Sequence, residues 1–211
     1  MHLSKTPSPT RLLLLRHGEV EDRFHRVFGG RIDMDLSPRG HQQAAALASY
    51  LRAKTIDAIY ASPMKRAQQT LAPLAGHCPR PPVVVPEFRE VDFGDWTGLG
   101  WEQVFERFNA RAIDWLHLLE AAAIPNAECG RTFRARVEPG LRRLLAAHSG
   151  QTVAVVCHGG VVRMMLSILL SLPLPAMTHF EIDYASLTQV DLHPHKTEVQ
   201  LLNFTPWRDL A

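Results

Sequence analysis

The stretch Arg11–Gly18, RLLLLRHG, decides the fold. Four consecutive leucines are typical of a strand that is buried on both faces, as in a parallel sheet covered by helices. The run ends in a permanent cation, Arg16, which is followed by His17 and a glycine. A second stretch, Val153–Gly160 or VAVVCHGG, repeats the pattern of a buried strand that ends in His-Gly. The two stretches therefore predict two strands that each carry a histidine at the carboxyl end.

The composition is that of an ordinary globular chain. Its 211 residues suit one domain, which we expect to span residues 11–211 after a loose tail at residues 1–10. The formal net charge is only +2 and no basic stripe is interleaved with aromatic residues, so no nucleic-acid partner is expected. The three cysteines form no C-x-x-C pair, and no apolar run is long enough for a signal peptide or a membrane span. We therefore expect a cytoplasmic protein without a membrane partner.

Short apolar runs alternate with helical patterns along the chain, and this alternation predicts an α/β fold. We expect a three-layer α/β/α sandwich around a mostly parallel, mixed sheet. Ser37 and Ser62 each precede a proline and a helical pattern, which predicts that both serines are helix N-caps. Two late runs, ASLTQVDL and EVQLLNF, predict an antiparallel hairpin near the C-terminus. Residues 97–130 read as helices and are expected to form a helical cap within the domain.

Charged and histidine side chains follow the predicted strands. In open α/β sheets ligands bind beyond the carboxyl ends of the strands, so His17 and His158 are expected to face one crevice. Gly159 opens a helix, whose free N–H groups would point at the ligand. Arg16 and Arg66 add two fixed cations. Two arginines, two histidines and a helix N-terminus together describe a site for a dianion, most simply a phosphoryl group.

A carboxylate is expected beside a phosphoryl site, because a carboxylic acid can protonate a leaving oxygen. The segment EFREVDFGDWTG follows a predicted third strand and offers Glu87, Glu90, Asp92 and Asp95. No H-x-x-x-H or Cys/His ligand spacing occurs in the sequence, so neither a metal nor another cofactor is predicted. Each of these residues taken alone has an ordinary structural interpretation, and only their combination points to a site.

Five motifs occur in a fixed order: LLLLRHGE, LSPRGHQQA, SPMKRAQQT, FREVDFGDWTG and VVCHGGVVR. As a set, over about residues 11–192, they closely resemble the histidine phosphatase superfamily, which has the phosphoglycerate mutase-like fold. The resemblance implies that His17 is the nucleophile that becomes phosphorylated and that Glu90 is the proton donor. The residues that it implies for holding the phosphoryl oxygens are Arg16, Arg66 and His158.

The chain departs from the family pattern in two places. Family members often continue R-H-G-E-T-x-x-N, whereas this chain has RHGEVEDR. The frequent GES segment appears here as GRT, with Arg131 where Glu is common. The substrate-binding candidates outside the catalytic core are therefore Gly159, Gly30 and three arginines, Arg23, Arg31 and Arg131, which would contact a second anionic group. An equally supported alternative places these arginines on the surface.

The chain looks most like the short phosphatase branch of the family, which includes enzymes acting on α-ribazole phosphate. We therefore expect a metal-independent phosphomonoesterase that acts through a phosphohistidine on a small phosphorylated metabolite, with α-ribazole phosphate as one candidate. A phosphoglycerate mutase is the enzymatic alternative, although mutases of the family have larger helical insertions. A catalytically inactive, phosphoanion-binding regulatory protein is the alternative of another class. A homodimer is left open.

Overall fold

Residues 8–210 are described by the computed structural model, so residues 1–7 and Ala211 lie outside the described residues. Most of the tail expected at residues 1–10 falls outside this range. Thr10 does not: it is the first residue of the first strand, one residue before the expected start of the domain. Within the described range, none of the helices combines the length and the apolar character that crossing a membrane requires.

The described residues form one mixed sheet of six strands. These are β1 (Thr10–Arg16), β2 (Ala58–Ala61), β3 (Val83–Val84), β4 (Thr152–Cys157), β5 (Leu187–Leu192) and β6 (Thr197–Phe204). Their order is β3-β2-β4-β1-β5-β6. The first four strands in this order are parallel, whereas β5 is antiparallel to both β1 and β6. The mostly parallel sheet and the closing hairpin expected from the sequence are thereby confirmed.

Helices cover both faces of the sheet, as the prediction of three layers requires. The helices of the described range are α1 (Pro38–Leu51), α2 (Lys65–Leu71), α3 (Trp101–Phe108), α4 (Trp115–Glu120), α5 (Gly130–Ala147), α6 (Gly159–Leu170) and α7 (Pro206–Asp209). Apolar residues of α1 and α2 form the core on one face, with α7 packed against it. Apolar residues of α3 to α6 form the core on the other face.

The leucine run of β1 contributes to both cores, because successive side chains of a strand point to opposite faces. Leu12 and Leu14 pack with α5 and α6, and Leu13 and Leu15 pack with α1 and α2. All four are at most 1% exposed, and burying each leucine contributes about 1.5–3 kcal/mol. The end of β1 is therefore one of the most firmly held points of the backbone.

The two helix starts predicted from Ser-Pro differ in the structure. Ser37 is the N-cap of α1, and its side chain accepts a hydrogen bond from the Gly40 N–H. Ser62 is not the N-cap of α2, which begins only at Lys65, after Met64 as its N-cap. The residue before a proline is pushed toward extended conformations, and the Ser62 hydroxyl bonds His158 instead.

The segment predicted to form a helical cap contains α3 and α4. A 3-10 turn at Ala112–Asp114 joins them. Val104 of α3 and Leu116 and Leu119 of α4 are fully buried and anchor the segment to the core beside α5 and α6.

Two glycines let the end of β1 approach the start of α1. A Cβ atom on Gly18 would lie 2.5 Å from the carbonyl oxygen of Gly40. A Cβ atom on Gly40 would overlap the carbonyl oxygen of Glu19. The backbone after His17 therefore packs directly against the first turn of α1, and neither glycine tolerates a side chain without backbone movement.

Gly40→Ala is expected to lower the free energy of unfolding by about 1–3 kcal/mol, the usual cost of overpacking. The overlap with Glu19 outweighs the helix propensity of alanine, which favours the substitution by about 1 kcal/mol. The control is Gly76→Ala, because a Cβ atom there meets no atom within 4 Å. Urea unfolding midpoints measure both variants. Equal stability of the two variants would show that the backbone at Gly40 and Glu19 can move apart to admit a methyl group at little cost in free energy.

Candidate active site

The pairing of β1 with β4 brings the two predicted histidines together. Arg16 lies opposite Cys157 in the parallel ladder, and the His17 N–H donates to the Cys157 carbonyl at 3.0 Å. His17 follows Arg16 and His158 follows Cys157, and the centroids of the two histidine rings lie 5.2 Å apart. The two rings are therefore neighbours, but only His17 lines the crevice, whereas His158 is fully buried beside it.

Hydrogen bonds fix the tautomer of His17. Its Nδ1 lies 2.7 Å from the Gly18 carbonyl oxygen; because a carbonyl can only accept, Nδ1 carries the proton. Nε2 keeps its lone pair and accepts from the Arg66 Nε–H at 3.3 Å. Burial, together with the charges of Arg66 and Arg16, holds the pKa of His17 well below its ordinary value of 6.5. His17 is thus a neutral imidazole whose unprotonated Nε2 faces the guanidinium of Arg66.

Arg66 lies in the first turn of α2 and is only 2% exposed. Its Nη1 donates to the Ile32 carbonyl at 2.8 Å and its Nη2 to the Gly30 carbonyl at 3.2 Å. Gly30 has a φ of +46°, a conformation that favours glycine. No carboxylate among residues 8–210 forms an ion pair with Arg66, and its guanidinium is anchored by the backbone carbonyls of Ile32 and Gly30.

Arg16 reaches the loop before β5. Its Nη1 donates to the Ile182 carbonyl at 2.5 Å, and its guanidinium carbon lies 4.1 Å from the centroid of the Tyr184 ring. This is the geometry of a cation–π contact. Its Nε is buried and has no partner among the described residues.

A third arginine, Arg163 of α6, lines the same crevice. It donates to the Gly159 carbonyl at 3.3 Å and to the Phe180 carbonyl at 3.0 Å. Burial and the neighbouring Arg16 charge lower the pKa of Arg163 to about 10. Within the described part of the chain, it too lacks a carboxylate partner.

His158 is fully buried and is held by Ser62. The Ser62 Oγ lies 2.7 Å from His158 Nε2 and accepts the Met64 N–H at 3.3 Å. When the hydroxyl donates its proton to Nε2, His158 Nδ1 carries a hydrogen that finds no acceptor among residues 8–210. Burial and the nearby cations hold the pKa of His158 well below 6.5. A neutral donor left without a partner fits an anionic ligand.

Of the four carboxylates predicted beside the third strand, Glu90 is the one that lines the crevice. Its Oε2 accepts the Gly160 N–H at the start of α6 at 3.2 Å, and its Oε1 accepts the Val91 N–H at 3.0 Å. A Cβ atom on Gly160 would overlap this carboxylate, so glycine is required where Glu90 meets the helix. The other three predicted carboxylates point elsewhere: Glu87 pairs with Arg143, Asp92 with Arg31, and Asp95 with Asn126.

The crevice has a volume of about 450 Å³. Cations and His17 line one part of it, and the start of α6 contributes Gly159 and Gly160. Aromatic side chains line much of the remainder: Phe24, Phe28, Phe93, Trp101, Trp115 and Tyr184. A polar end that suits an anion therefore adjoins walls that suit an apolar group.

Comparison with known proteins agrees with this geometry. The model of the histidine phosphatase superfamily (branch 1) matches residues 12–205. The chain belongs to the histidine phosphatase superfamily.

Relatives of this histidine phosphatase are themselves named as phosphatases. The adenosylcobalamin/α-ribazole phosphatase of Escherichia coli is 31% identical over 92% of this chain and 95% of its own length. Phosphoserine phosphatase 1 of Hydrogenobacter thermophilus is 30% identical over 92% of each chain. The crystal structure of the α-ribazole phosphatase from Shigella flexneri superimposes with a TM-score of 0.80 at 27% identity, over 93% of this chain and 97% of that one. The expected fold and enzyme class are confirmed: the chain is a phosphatase that acts on a small phosphorylated metabolite.

The predicted substrate shell of this phosphatase needs correction. Arg23 is exposed and pairs with Glu21 at 3.1 Å, and Arg31 pairs with Asp92 at 3.1 Å. Arg131 is exposed in the first turn of α5. None of the three is among the residues that line the crevice, which agrees with the alternative that places these arginines on the surface. Gly30 and Gly159 do line it, as predicted.

A carboxylate three residues before Arg131 contacts the loop that carries Glu90: Glu128 Oε1 accepts the Asp92 N–H at 2.9 Å.

Several site residues of this phosphatase were not predicted, although some left a signal. Arg163 follows Gly159 by four residues in HGGVVR, the spacing that puts two residues on one face of a helix. Tyr184 precedes β5, and an antiparallel strand beside β1 begins at the edge where β1 ends. The contacts of Ser62 and of Arg26, which stacks on Trp101 at 5.4 Å, had no sequence signal.

One group of possible metal ligands lies at the same crevice. Oxygen or nitrogen atoms of Glu19, Asp22 and His25 lie within 4.8 Å of one another. His25 Nε2 is 3.1 Å from the Val20 carbonyl, and Glu19 accepts from the Ser37 hydroxyl at 2.9 Å. Two of the three groups are thus already engaged within the protein.

The buried histidines predict a pH-dependent stability. The unfolded chain takes up a proton at His17 near pH 6.5, whereas the folded chain does so only at its lowered pKa. The free energy of unfolding should therefore fall as the pH drops below 6.5, by about 1.4 kcal/mol per unit of difference in pKa. His17→Asn should remove part of this fall. Urea unfolding at about pH 8 and pH 5 measures it, with the exposed His195→Asn as control. An unchanged pH dependence in His17→Asn would contradict the assignment.

Proposed function

We propose that this histidine phosphatase hydrolyses phosphomonoesters through a phosphohistidine on His17, without a metal. The observation that carries the proposal is the unprotonated Nε2 of a neutral His17, in a crevice lined by three arginines that form no ion pair with a carboxylate in the described range. A phosphoryl dianion would satisfy these charges and place its phosphorus beside Nε2.

In the first step, His17 Nε2 attacks the phosphorus and a P–N bond forms while the ester P–O bond breaks. Glu90, protonated at this stage, gives its proton to the leaving oxygen, so the product departs as an alcohol. Arg16 and Arg66 offset the negative charge on the equatorial oxygens. The strand that holds His17 keeps its ring in line with the bond that breaks.

In the second step, water attacks the phosphorus and Glu90, now a carboxylate, takes a proton from it. The P–N bond breaks, inorganic phosphate is formed, and His17 returns to its neutral state. The Nδ1–H of His17 stays on the Gly18 carbonyl throughout, which keeps the same nitrogen available in every cycle.

The aromatic walls support a leaving group with a flat apolar part. Trp101 of α3 and Trp115 of α4 both line the crevice, so the segment 97–130 serves as a cap that contacts the leaving group. α-Ribazole carries a planar base that suits such walls, which favours α-ribazole phosphate over phosphoserine as the substrate. A cytoplasmic location, a homodimer and the absence of a nucleic-acid partner stay predictions from the sequence.

The nucleophile is tested with His17→Asn, which should fold and lose all measurable turnover of p-nitrophenyl phosphate. Rapid quenching of the wild type at alkaline pH with labelled substrate should yield an acid-labile phosphoramidate on His17. The assays are run in excess EDTA, in which the wild type should stay active. Label on another residue, or loss of activity on chelation that Mg²⁺ restores, would overturn the mechanism. Transfer of label between phosphoglycerates would indicate the mutase, and binding of phosphate without turnover would indicate the regulatory protein.

The proton donor is tested by comparing leaving groups. An alkoxide leaves poorly without a proton, whereas nitrophenolate leaves readily as an anion. Glu90→Gln should therefore slow hydrolysis of an alkyl phosphomonoester by about 10²–10⁴-fold and that of p-nitrophenyl phosphate far less. Arg66→Ala should slow both substrates by similar factors, because it removes charge stabilisation common to both. If Glu90→Gln slows the two equally, Glu90 is not the acid.

A further inference from the structure

Arg136 of α5 uses every hydrogen-bond donor of its guanidinium. Nε and Nη2 donate to the two carboxylate oxygens of Glu128, at 2.9 and 2.6 Å. Nη1 donates to the carbonyls of Glu87 at 2.6 Å and Arg89 at 2.8 Å, and Nη2 donates to the Glu90 carbonyl at 3.1 Å. The five N–H groups of one side chain thus meet five acceptors, three of them in the loop that carries Glu90.

Glu128 extends this contact to the other side of Glu90. Its Oε1 accepts the Asp92 N–H at 2.9 Å, and its own N–H donates to the Asp92 carbonyl at 3.1 Å. The ion pair of Arg136 with Glu128 therefore binds the backbone from residue 87 to residue 92, with Glu90 inside the bound stretch. Only 26% of the Arg136 side chain and 12% of the Glu128 side chain are exposed.

The Glu90 side chain is held from a different direction. Its carboxylate accepts the Gly160 N–H of α6, whereas its backbone carbonyl is bound by α5. Gly140 of α5 also packs against the same loop, where a Cβ atom would lie 3.0 Å from the Phe88 ring. The position of the carboxylate in the crevice thus depends on contacts with two helices.

We propose that Arg136, together with Glu128, is a positioning residue for the proton donor: it fixes the backbone of Glu90 so that the carboxyl group reaches the leaving oxygen. The proposal rests on the role of Glu90 proposed above. Arg136 does not line the crevice, so it acts on the reaction only through Glu90.

Arginine is needed here for its shape as well as its charge. The guanidinium presents five donors in a rigid plane, whereas an ammonium presents three donors at one point. Lysine at position 136 would keep the charge but could not hold Glu128 and three carbonyls at once. A shift of about 1 Å in a reacting group can reduce the rate about 100-fold, so a loosened loop should be visible in the rate of the step that uses Glu90.

The test is Arg136→Lys, assayed with an alkyl phosphomonoester and with p-nitrophenyl phosphate. We expect kcat on the alkyl substrate to fall about 10–100-fold and kcat on the aryl substrate by less than about 3-fold. The inhibition constant of vanadate should stay within about twofold, since the anion site is untouched. The matched control is Arg143→Met, on the same helix and beside the same loop, because the exposed Arg143 pairs with the half-buried side chain of Glu87 and with no backbone carbonyl of that loop among the described hydrogen bonds. That control should leave both rates unchanged.

The combination with Glu90→Gln separates positioning from general damage. In the Glu90→Gln background, Arg136→Lys should not change the ratio of alkyl to aryl rates further, because the group it positions no longer donates a proton. Equal loss on both substrates, or an additional change of the ratio in the double variant, would overturn the proposal. If Arg136→Lys does not fold, Glu128→Gln decides: it should lower the alkyl rate selectively, and a uniform effect would count against the positioning role.

The two proposals fail in different ways. If Glu90→Gln has no selective effect on the alkyl substrate, the assignment of the proton donor itself is wrong. If Glu90→Gln shows the selective effect and neither Arg136→Lys nor Glu128→Gln does, the proton donor stands and only the positioning role is refuted.

Discussion

The parallel pairing of β1 with β4 is the constraint on which the site depends. It aligns Arg16 with Cys157 and so sets His17 beside His158. A slip of the register by one residue would turn every side chain of β1 to the opposite face of the sheet. Because Leu12 to Leu15 are buried on both faces, the polar residue at the end of the strand marks the register: a slip would break the hydrogen bond from Arg16 to the Ile182 carbonyl. The register of this pair therefore determines where His17 lies.

Around this pair, the protein concentrates positive charge without neutralising it. Arg16, Arg66 and Arg163 are anchored by main-chain carbonyl oxygens instead of carboxylates; those oxygens belong to Gly30, Ile32, Gly159, Phe180 and Ile182. Carbonyl dipoles orient a guanidinium but leave its full charge to act on a ligand. Mutual repulsion of the cations is the cost of this arrangement, and the lowered pKa of Arg163 reflects it together with burial. A bound dianion relieves that repulsion.

The fold could be predicted from local patterns, because each strand of the parallel part is a short apolar run that is followed by polar residues, proline or glycine. The candidate site could be predicted for the same reason: His17, Arg66, Glu90 and His158 all follow strands whose carboxyl ends share one edge. The outer residues could not, since Arg23 and Arg31 resemble anion ligands in sequence and their carboxylate partners become visible only in three dimensions. Ser62 was assigned as a helix cap, whereas a contact with His158, ninety-six residues away, determines its position. Arg136 is not distinguished in the sequence, because three of its five acceptors are backbone carbonyls that every residue possesses and the other two belong to one carboxylate, that of Glu128.

The position of β1 in the sheet also has a consequence for the order of folding. Of the six strands of the sheet, β1 comes first in the chain, yet both of its neighbours come late: β4 begins at Thr152 and β5 at Leu187. Contacts between residues so far apart in the sequence form slowly, because the entropy cost of closing a long loop must be met before the contacts stabilise the chain. The four leucines must therefore wait, unpaired, until most of the chain has been synthesised. During that interval His17 has neither His158 nor Tyr184 beside it, so the surroundings of the proposed nucleophile form only after β4 and β5 have been synthesised.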